Sequence, residues 1–298
     1  MPGAVAQGLI WGIMAIGVFI TYKVLDLADL TVDGTMATGG AVCVMLMLNG
    51  CSVWLALPAA VLAGMAAGLV TGLFHTAMGI PAILSGILTQ LSLYSINLVV
   101  MGKANQGINV TKYALIVSQR GVRALSPSNP IFVTAFATVL LIAALYWFFG
   151  TELGCALRAT GANEAMSRAQ GINTAVAKIL GLMISNGIVA LSSAMLSHYQ
   201  GFVDVNMGRG AIVIGLAAVI ISDVLFGRIF TNFALKLLAV SIGSVIYYIV
   251  IQVVLWLGLN TDLLKLLSAL VVAVFLAIPH WRSRLVSGTA KKGANGDA

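Results

Sequence analysis

Charge is what this sequence has least of. Its 298 residues include 9 acidic and 16 basic side chains, 8% of the total, where an ordinary soluble domain carries about 25%. A soluble fold needs polar residues to cover its surface, and a chain that is 60% hydrophobic cannot supply them. The uncharged stretches are also continuous: neither 53–74 nor 131–149 holds an Asp, Glu, Lys or Arg. A hydrocarbon core of about 30 Å is crossed by about 20 helical residues, so each stretch suffices alone. A closed β-barrel also satisfies its backbone in lipid, but it requires alternating apolar and polar residues. These stretches are apolar throughout. The expected fold class is all-α, a polytopic transmembrane helical bundle.

Cysteine and histidine are scarce as well, with three of each. Cys43, Cys51 and Cys155 lack metal-ligand spacing, and Cys51 and Cys155 fall on opposite sides of the topology below, which argues against a disulfide framework. His75, His198 and His280 are far apart and near span ends, where structural or interfacial roles suit them better than metal binding. No G-x-x-x-x-G-K-[ST] loop occurs, so ATP is not expected to bind through one, and no H-E-x-x-H occurs. No clustered nucleophile, base or metal set points to an enzyme. The N-terminus lacks a charged region, so the first apolar stretch reads as a retained helix rather than a cleaved signal.

What charge there is sits between the apolar blocks. The net +7 follows the pattern of cytoplasmic loops under the positive-inside rule rather than a nucleic-acid surface. Nine spans are expected: 4–22, 35–49, 53–74, 82–101, 131–150, 176–197, 210–226, 233–257 and 263–279, the second being short. With the tail inside, Lys23, Arg158, Arg168, Lys178, Arg228, Lys236, Arg282, Arg284, Lys291 and Lys292 face the cytoplasm. Lys103, Lys112, Arg120, Arg123 and Lys265 lie outside, and Arg209 falls at a span boundary. The N-terminus is thus expected outside and the C-terminus inside. Residues 1–281 form the transmembrane domain, with an extracytoplasmic loop at 102–130 and a cytoplasmic loop at 151–175. Residues 282–298 read as a basic, disordered tail. The outer loop ends in the turn-rich Ser-Pro-Ser-Asn-Pro of 126–130. It is either a solvated connection or a docking surface for an external partner.

Two segments suggest an inverted repeat with broken helices near 29–34 and 204–210. Asp29-Leu-Thr-Val-Asp33-Gly34 precedes one small-residue helix, and Asp204-Val-Asn206-Met-Gly208-Arg-Gly210 precedes another. Opposed repeats with glycine-interrupted helices recur in transporters, with the breaks flanking the substrate site. Asp33 and Asp204 read equally well as helix N-caps beside Gly34 and Gly208, and a half-helix N-terminus facing a cavity could also meet a carboxylate ligand. In the fourth span Gln90, Tyr94 and Asn97, at i, i+4 and i+7, share one helical face. They serve either as interhelical hydrogen-bonding groups or as lining of a translocation path.

The cytoplasmic loop carries the strongest local signal. From Gly154 to Gly171 it reads as an amphipathic helix bounded by glycines, centred on 162–170. Asn163 is a good N-cap, Glu164 occupies the positive first turn, and Glu164 and Arg168 form an i,i+4 pair. Gly171 can end the helix. A short rigid helix on the cytoplasmic surface is suited to passing motion from a soluble partner to the spans.

The run from Thr151-Glu-Leu-Gly154 through Arg158-Ala-Thr-Gly161 to Gly171 resembles the coupling loop of ABC importer permeases in the branched-chain amino-acid and ribose permease superfamily. Their general pattern is Glu-Ala-Ala followed by a glycine. This chain has Glu164-Ala165-Met166, with Gly171 one position late. The segments 25–34 and 199–208, together with Ser185-Asn186-Gly187, look like the tryptophan/tyrosine transport permease branch of that superfamily. The resemblance runs over about 8–228 and implies a bacterial inner-membrane protein. It implies a second permease subunit, as a homodimer, a cytoplasmic ATPase that binds ATP and Mg and docks around Arg158, Gly161, Asn163, Glu164, Arg168 and Gly171, and an extracytoplasmic substrate-binding protein. No cofactor is expected on this chain. The implied function is import of a small solute, an amino acid and within that branch an aromatic one, by alternating access. The alternative is an ion-coupled secondary transporter or channel for a small polar solute, working through Asp33 or Asp204.

Overall fold

The computed structural model describes residues 2–109, 113, 115–119, 129–227 and 229–257, with isolated positions between 266 and 277. The expected span 263–279, the 126–128 part of the turn-rich motif and the tail 282–298 lie wholly or largely outside the described residues. Ten α-helices are present among them: α1 (Pro2–Phe19), α2 (Thr31–Leu48), α3 (Val53–Thr76), α4 (Ala82–Met101), α5 (Pro130–Gly150), α6 (Glu152–Ala162), α7 (Glu164–Ala169), α8 (Thr174–Gln200), α9 (Ala211–Phe226) and α10 (Phe233–Trp256). A π-helical turn, Ile20–Val24, extends α1. Seven of the helices are long and apolar enough to cross a membrane. The shorter α9 has 16 residues, about 24 Å at 1.5 Å per residue.

Helix starts follow local chemistry. Asn129, Thr151, Asn163, Asn173 and Asn232 each accept a hydrogen bond from a backbone N–H in the first turn of α5, α6, α7, α8 and α10, the role for which Asn and Thr are favoured. Pro130 follows Asn129 at the first helical position, where its missing N–H costs nothing. At the other end, α8 stops at Gly201 in the left-handed conformation, φ +77.

The centre of the bundle is α1, α2 and α8. Across their most apolar windows 72–78% of residues are buried, against 22–33% in α3, α4 and α5, so the last three form the periphery. Close approach is achieved with small residues and serine hydroxyls. Gly68 of α3 lies against the Leu182 carbonyl of α8, and Gly39 of α2 against Ala190. Ser185 Oγ donates to the Gly17 carbonyl at 2.8 Å and Ser192 Oγ to the Ile10 carbonyl at 2.7 Å, fastening α8 to α1. Small-residue contacts and hydroxyl bonds are how helices associate where lipid competes for apolar surface.

Two expectations are corrected. The second span is not short, because helix begins at Thr31 and Asp33 and Gly34 lie inside it. The loop between α5 and α8 contains two helices rather than one, broken at Asn163, whose φ of −159 is extended. The bundle is all-helical, as expected, and one short ribbon is added to it. Strands β1 (Asn105–Gly107) and β2 (Phe202–Asp204) form an antiparallel ribbon with Gln106 opposite Val203. Three-residue strands carry no readable alternation.

Candidate functional site

Two regions hold the residues singled out above. The first is the loop between α5 and α8. Asn163 Oδ1 accepts from the Met166 N–H at 2.9 Å and starts α7. One Glu164 oxygen accepts from Arg168 at 2.5 Å and from the Thr174 hydroxyl at 3.3 Å, and the other accepts from Lys178 Nζ at 2.7 Å. Arg168 Nε donates in turn to Thr174 Oγ1 at 2.9 Å. The Lys178 hydrogen bond, with the charges of Lys178 and Arg168, holds the Glu164 carboxyl below its ordinary value. One carboxylate therefore ties α7 to the first turns of α8. The Arg168 contact was legible as i,i+4 spacing, whereas Lys178, fourteen residues away, was not. Gly171, at φ +82, turns the chain towards α8.

Arg158 and Gly161 sit on α6, outside this cluster. Arg158 donates to the Phe149 carbonyl at 2.7 Å and lies 5.9 Å from the Phe233 ring centroid. Gly161 packs against the Val24 carbonyl, where a Cβ would collide with backbone. The next residue, Leu25, covers Gly181 of α8 together with Leu157 of α6. The loop thus abuts the end of α1 directly.

The second region is where helices stop inside the bundle. After Val24 the chain leaves helical geometry for residues 25–30 and resumes at Thr31. Asp29 Oδ2 accepts from Asn186 Nδ2 at 2.7 Å and Oδ1 from the Thr31 N–H at 2.9 Å. Asn186 lies near the midpoint of the 27-residue α8, which places this break well within the bundle. Its Oδ1 accepts from Thr35 at 2.7 Å. Thr31, Thr71 and Thr89 continue the network across α2, α3 and α4 with hydroxyl contacts of 2.7 and 2.9 Å. Asp29 and this threonine chain were not among the expected site residues. The spacing of Thr31, Thr35 and Thr38 on one helical face was the available signal.

Asp33 caps a helix, though not its own. Its two oxygens accept from the backbone N–H groups of Gly210 at 2.9 Å and Ile212 at 3.0 Å, closing the N-terminus of α9. Gly208 fits against the Asp33 carbonyl with no room for a side chain, and a Cβ on Gly34 would lie 3.0 Å from Gln90 Cα. Asp204 has a separate role: it accepts from the Asn206 N–H at 2.7 Å and from Asn105 across the ribbon at 3.4 Å. Asn206 itself is exposed.

On α4 the three expected polar residues occupy different environments. Gln90 is half-buried at the α2 crossing, Tyr94 is exposed beneath the Arg209 guanidinium at 5.7 Å, and Asn97 is buried with both amide atoms unpartnered. No group of three or more metal-ligating side chains occurs among the described residues.

A bundle with helices interrupted at depth, braced by polar networks and joined to a rigid surface helix, is the body of a membrane transport protein. The chain belongs to the family described as branched-chain amino acid transport system / permease component, whose model matches residues 2–278. It is the permease subunit of an ABC-type importer and has no catalytic role of its own. It is 41% identical over 286 residues to a tyrosine transport system permease protein of Clostridioides difficile (strain R20291), covering 96% of this chain and 93% of that one. The fold is similar to PsaBC from Streptococcus pneumoniae in complex with Fab, at a TM-score of 0.52 and 17% identity, covering 93% and 89% of the two chains. It is also similar to a metal-chelate type ABC transporter in an inward-facing conformation, at 0.51 and 13%, covering 94% and 85%.

Proposed function

We propose that this subunit imports an aromatic amino acid across the bacterial inner membrane, N-terminus outside and C-terminus inside. It would work as a homodimer with a cytoplasmic ATPase, which binds ATP and Mg, and an extracytoplasmic binding protein. The observation that carries this reading is the Glu164 clamp, which fixes α7 to α8 while α6 abuts Val24 and Leu25. An ATPase pushing on α7 would move α8 and the 25–30 break together, and that break adjoins the Asp29–Asn186 network. Asn163, Glu164, Arg168 and Gly171 form the docking element, with Arg158 and Gly161 on the adjoining helix.

Asp204, Asn206 and Gly208 belong to the connection between α8 and α9, and Asp33 and Gly34 to the first turns of α2 that follow the 25–30 break, with Gln90, Tyr94 and Asn97 on the neighbouring α4. The matching order of helix, break and helix in α1–α2 and α8–α9 supports an inverted repeat. The similarity to a tyrosine permease supports the aromatic substrate, and the unpartnered amide of Asn97 offers a polar contact to a solute.

The test is tyrosine uptake by proteoliposomes that hold the chain with its co-purifying ATPase and binding protein. The Glu164→Ala variant should lose most uptake and substrate-stimulated ATP hydrolysis while its thermal midpoint changes little. The exposed i,i+4 pair with Arg168 contributes only about 0.5 kcal/mol, and the Lys178 ion pair at the surface about 1 kcal/mol, small against the packing of the whole bundle. Uptake and stimulation equal to the parent protein would remove α7 as the coupling element.

A further inference from the structure

A cavity of about 630 Å³ opens at the end of the bundle that carries α6 and α7, between the ends of α1 and α9 and the start of α10. Its charged lining is Lys23, Arg158, Asp223 and Lys236. Lys23 is neutralised by Asp223 at 2.6 Å. Arg158 and Lys236 have no carboxylate partner among the described residues, so the cavity keeps two uncompensated positive charges. Four phenylalanines contribute to the remaining wall, among them Phe226, stacked on Phe230 with centroids 5.3 Å apart. Arg158 and Phe233 also line a second cavity of about 470 Å³, shared with Tyr146 and Trp147 of α5. Trp147 is 74% exposed on the periphery, and Trp and Tyr gather at the depth of lipid headgroups.

We propose that this cavity binds the phosphate headgroup of an anionic phospholipid from the cytoplasmic leaflet. Arg158 and Lys236 hold the phosphate, and the acyl chains leave past Trp147 along α5. Basic pockets between helices on this side of a membrane are suited to such headgroups, and a planar guanidinium matches phosphate oxygens with paired donors. The occupied headgroup would brace α6 against α10. This reading goes beyond the transport assignment. It uses the proposed orientation but is read from lipid retention rather than uptake, so either can fail alone.

The experiment extracts the full chain, with any subunits that accompany it, from vesicles of equal phosphatidylglycerol and phosphatidylcholine, and counts retained lipids by native mass spectrometry. Phosphatidylglycerol should be retained in clear preference. Arg158→Gln also removes the bond to the Phe149 carbonyl and could disturb α6, so two other variants decide. Lys236→Gln should lower the preference about fivefold, and Asp223→Asn, which frees Lys23, should raise it by a similar factor. Equal retention of the two lipids, or a preference that neither variant moves, would overturn the proposal. Complete displacement by millimolar glycerol phosphate would assign the cavity to a free phosphate and overturn the lipid assignment.

Discussion

Asn186 carries more than one residue's share of this structure. Its amide donates to Asp29 and accepts from Thr35, so one side chain anchors both the 25–30 break and the start of α2. Removing it strands an Asp29 carboxylate oxygen away from water, while the Thr35 hydroxyl keeps the Thr31 carbonyl at 3.1 Å, and leaving a buried group unmade costs more than the bond itself contributed. Asn186→Ala should therefore lower stability in detergent by about 1–3 kcal/mol, and Thr35→Val by less, as read from thermal unfolding. Glu164 gives a pH signature. Its folded-state value lies below the ordinary one, so its contribution is fully present above the unfolded carboxylate pKa, about 4.3. It is lost as pH falls through the lower folded value. Anchoring of α7, followed by hydrogen exchange, should be flat from neutral pH to about 5 and weaken on further acidification. Glu164→Gln should abolish that acid limb.

At the scale of elements, the crossing of α3 and α8 is set by backbone contact. A Cβ at Gly68 would meet the Leu182 carbonyl and lie 2.9 Å from Met183 Cα, atoms that cannot swing aside. Gly68→Val should separate the helices and cost about 1–3 kcal/mol through overpacking, whereas Gly79→Ala probes only local strain, since φ there is +69 with open space around it. Thermal midpoints of the two variants should differ accordingly. The same contrast explains what could be read from the chain. Helix positions were legible because an apolar run of about 20 residues has one stable arrangement in lipid: α4 was expected at 82–101 and runs from Ala82 to Met101. The α7 cap and its i,i+4 pair were legible because they are local. The Asp33 cap on α9 joins residues 177 apart, and no periodicity encodes that. The β1–β2 ribbon was hidden by its brevity, and the break between α6 and α7 by an amphipathic pattern that runs on from Gly154 to Gly171 through the extended Asn163.

The molecule as a whole has a buried heart of α1, α2 and α8 and an apolar outer face on α3, α4 and α5. Its sidedness can be read with its own cysteines. Cys51 and Cys155 are exposed and Cys43 is buried. A membrane-impermeant maleimide should label Cys51 in intact spheroplasts and Cys155 only after permeabilisation, with Cys43 silent in both. The reverse order for Cys51 and Cys155 would invert the proposed orientation. The link between Asp33 and α9 also bears on how the protein is made. A ribosome adding about 5–20 residues per second needs roughly 10–35 s after completing Asp33 to supply the N–H groups that cover its carboxylate. Through that interval the nascent chain carries an unsatisfied acid in the first turn of α2. Newly inserted chains cut short before Gly210 should be the forms that membrane quality-control proteases remove.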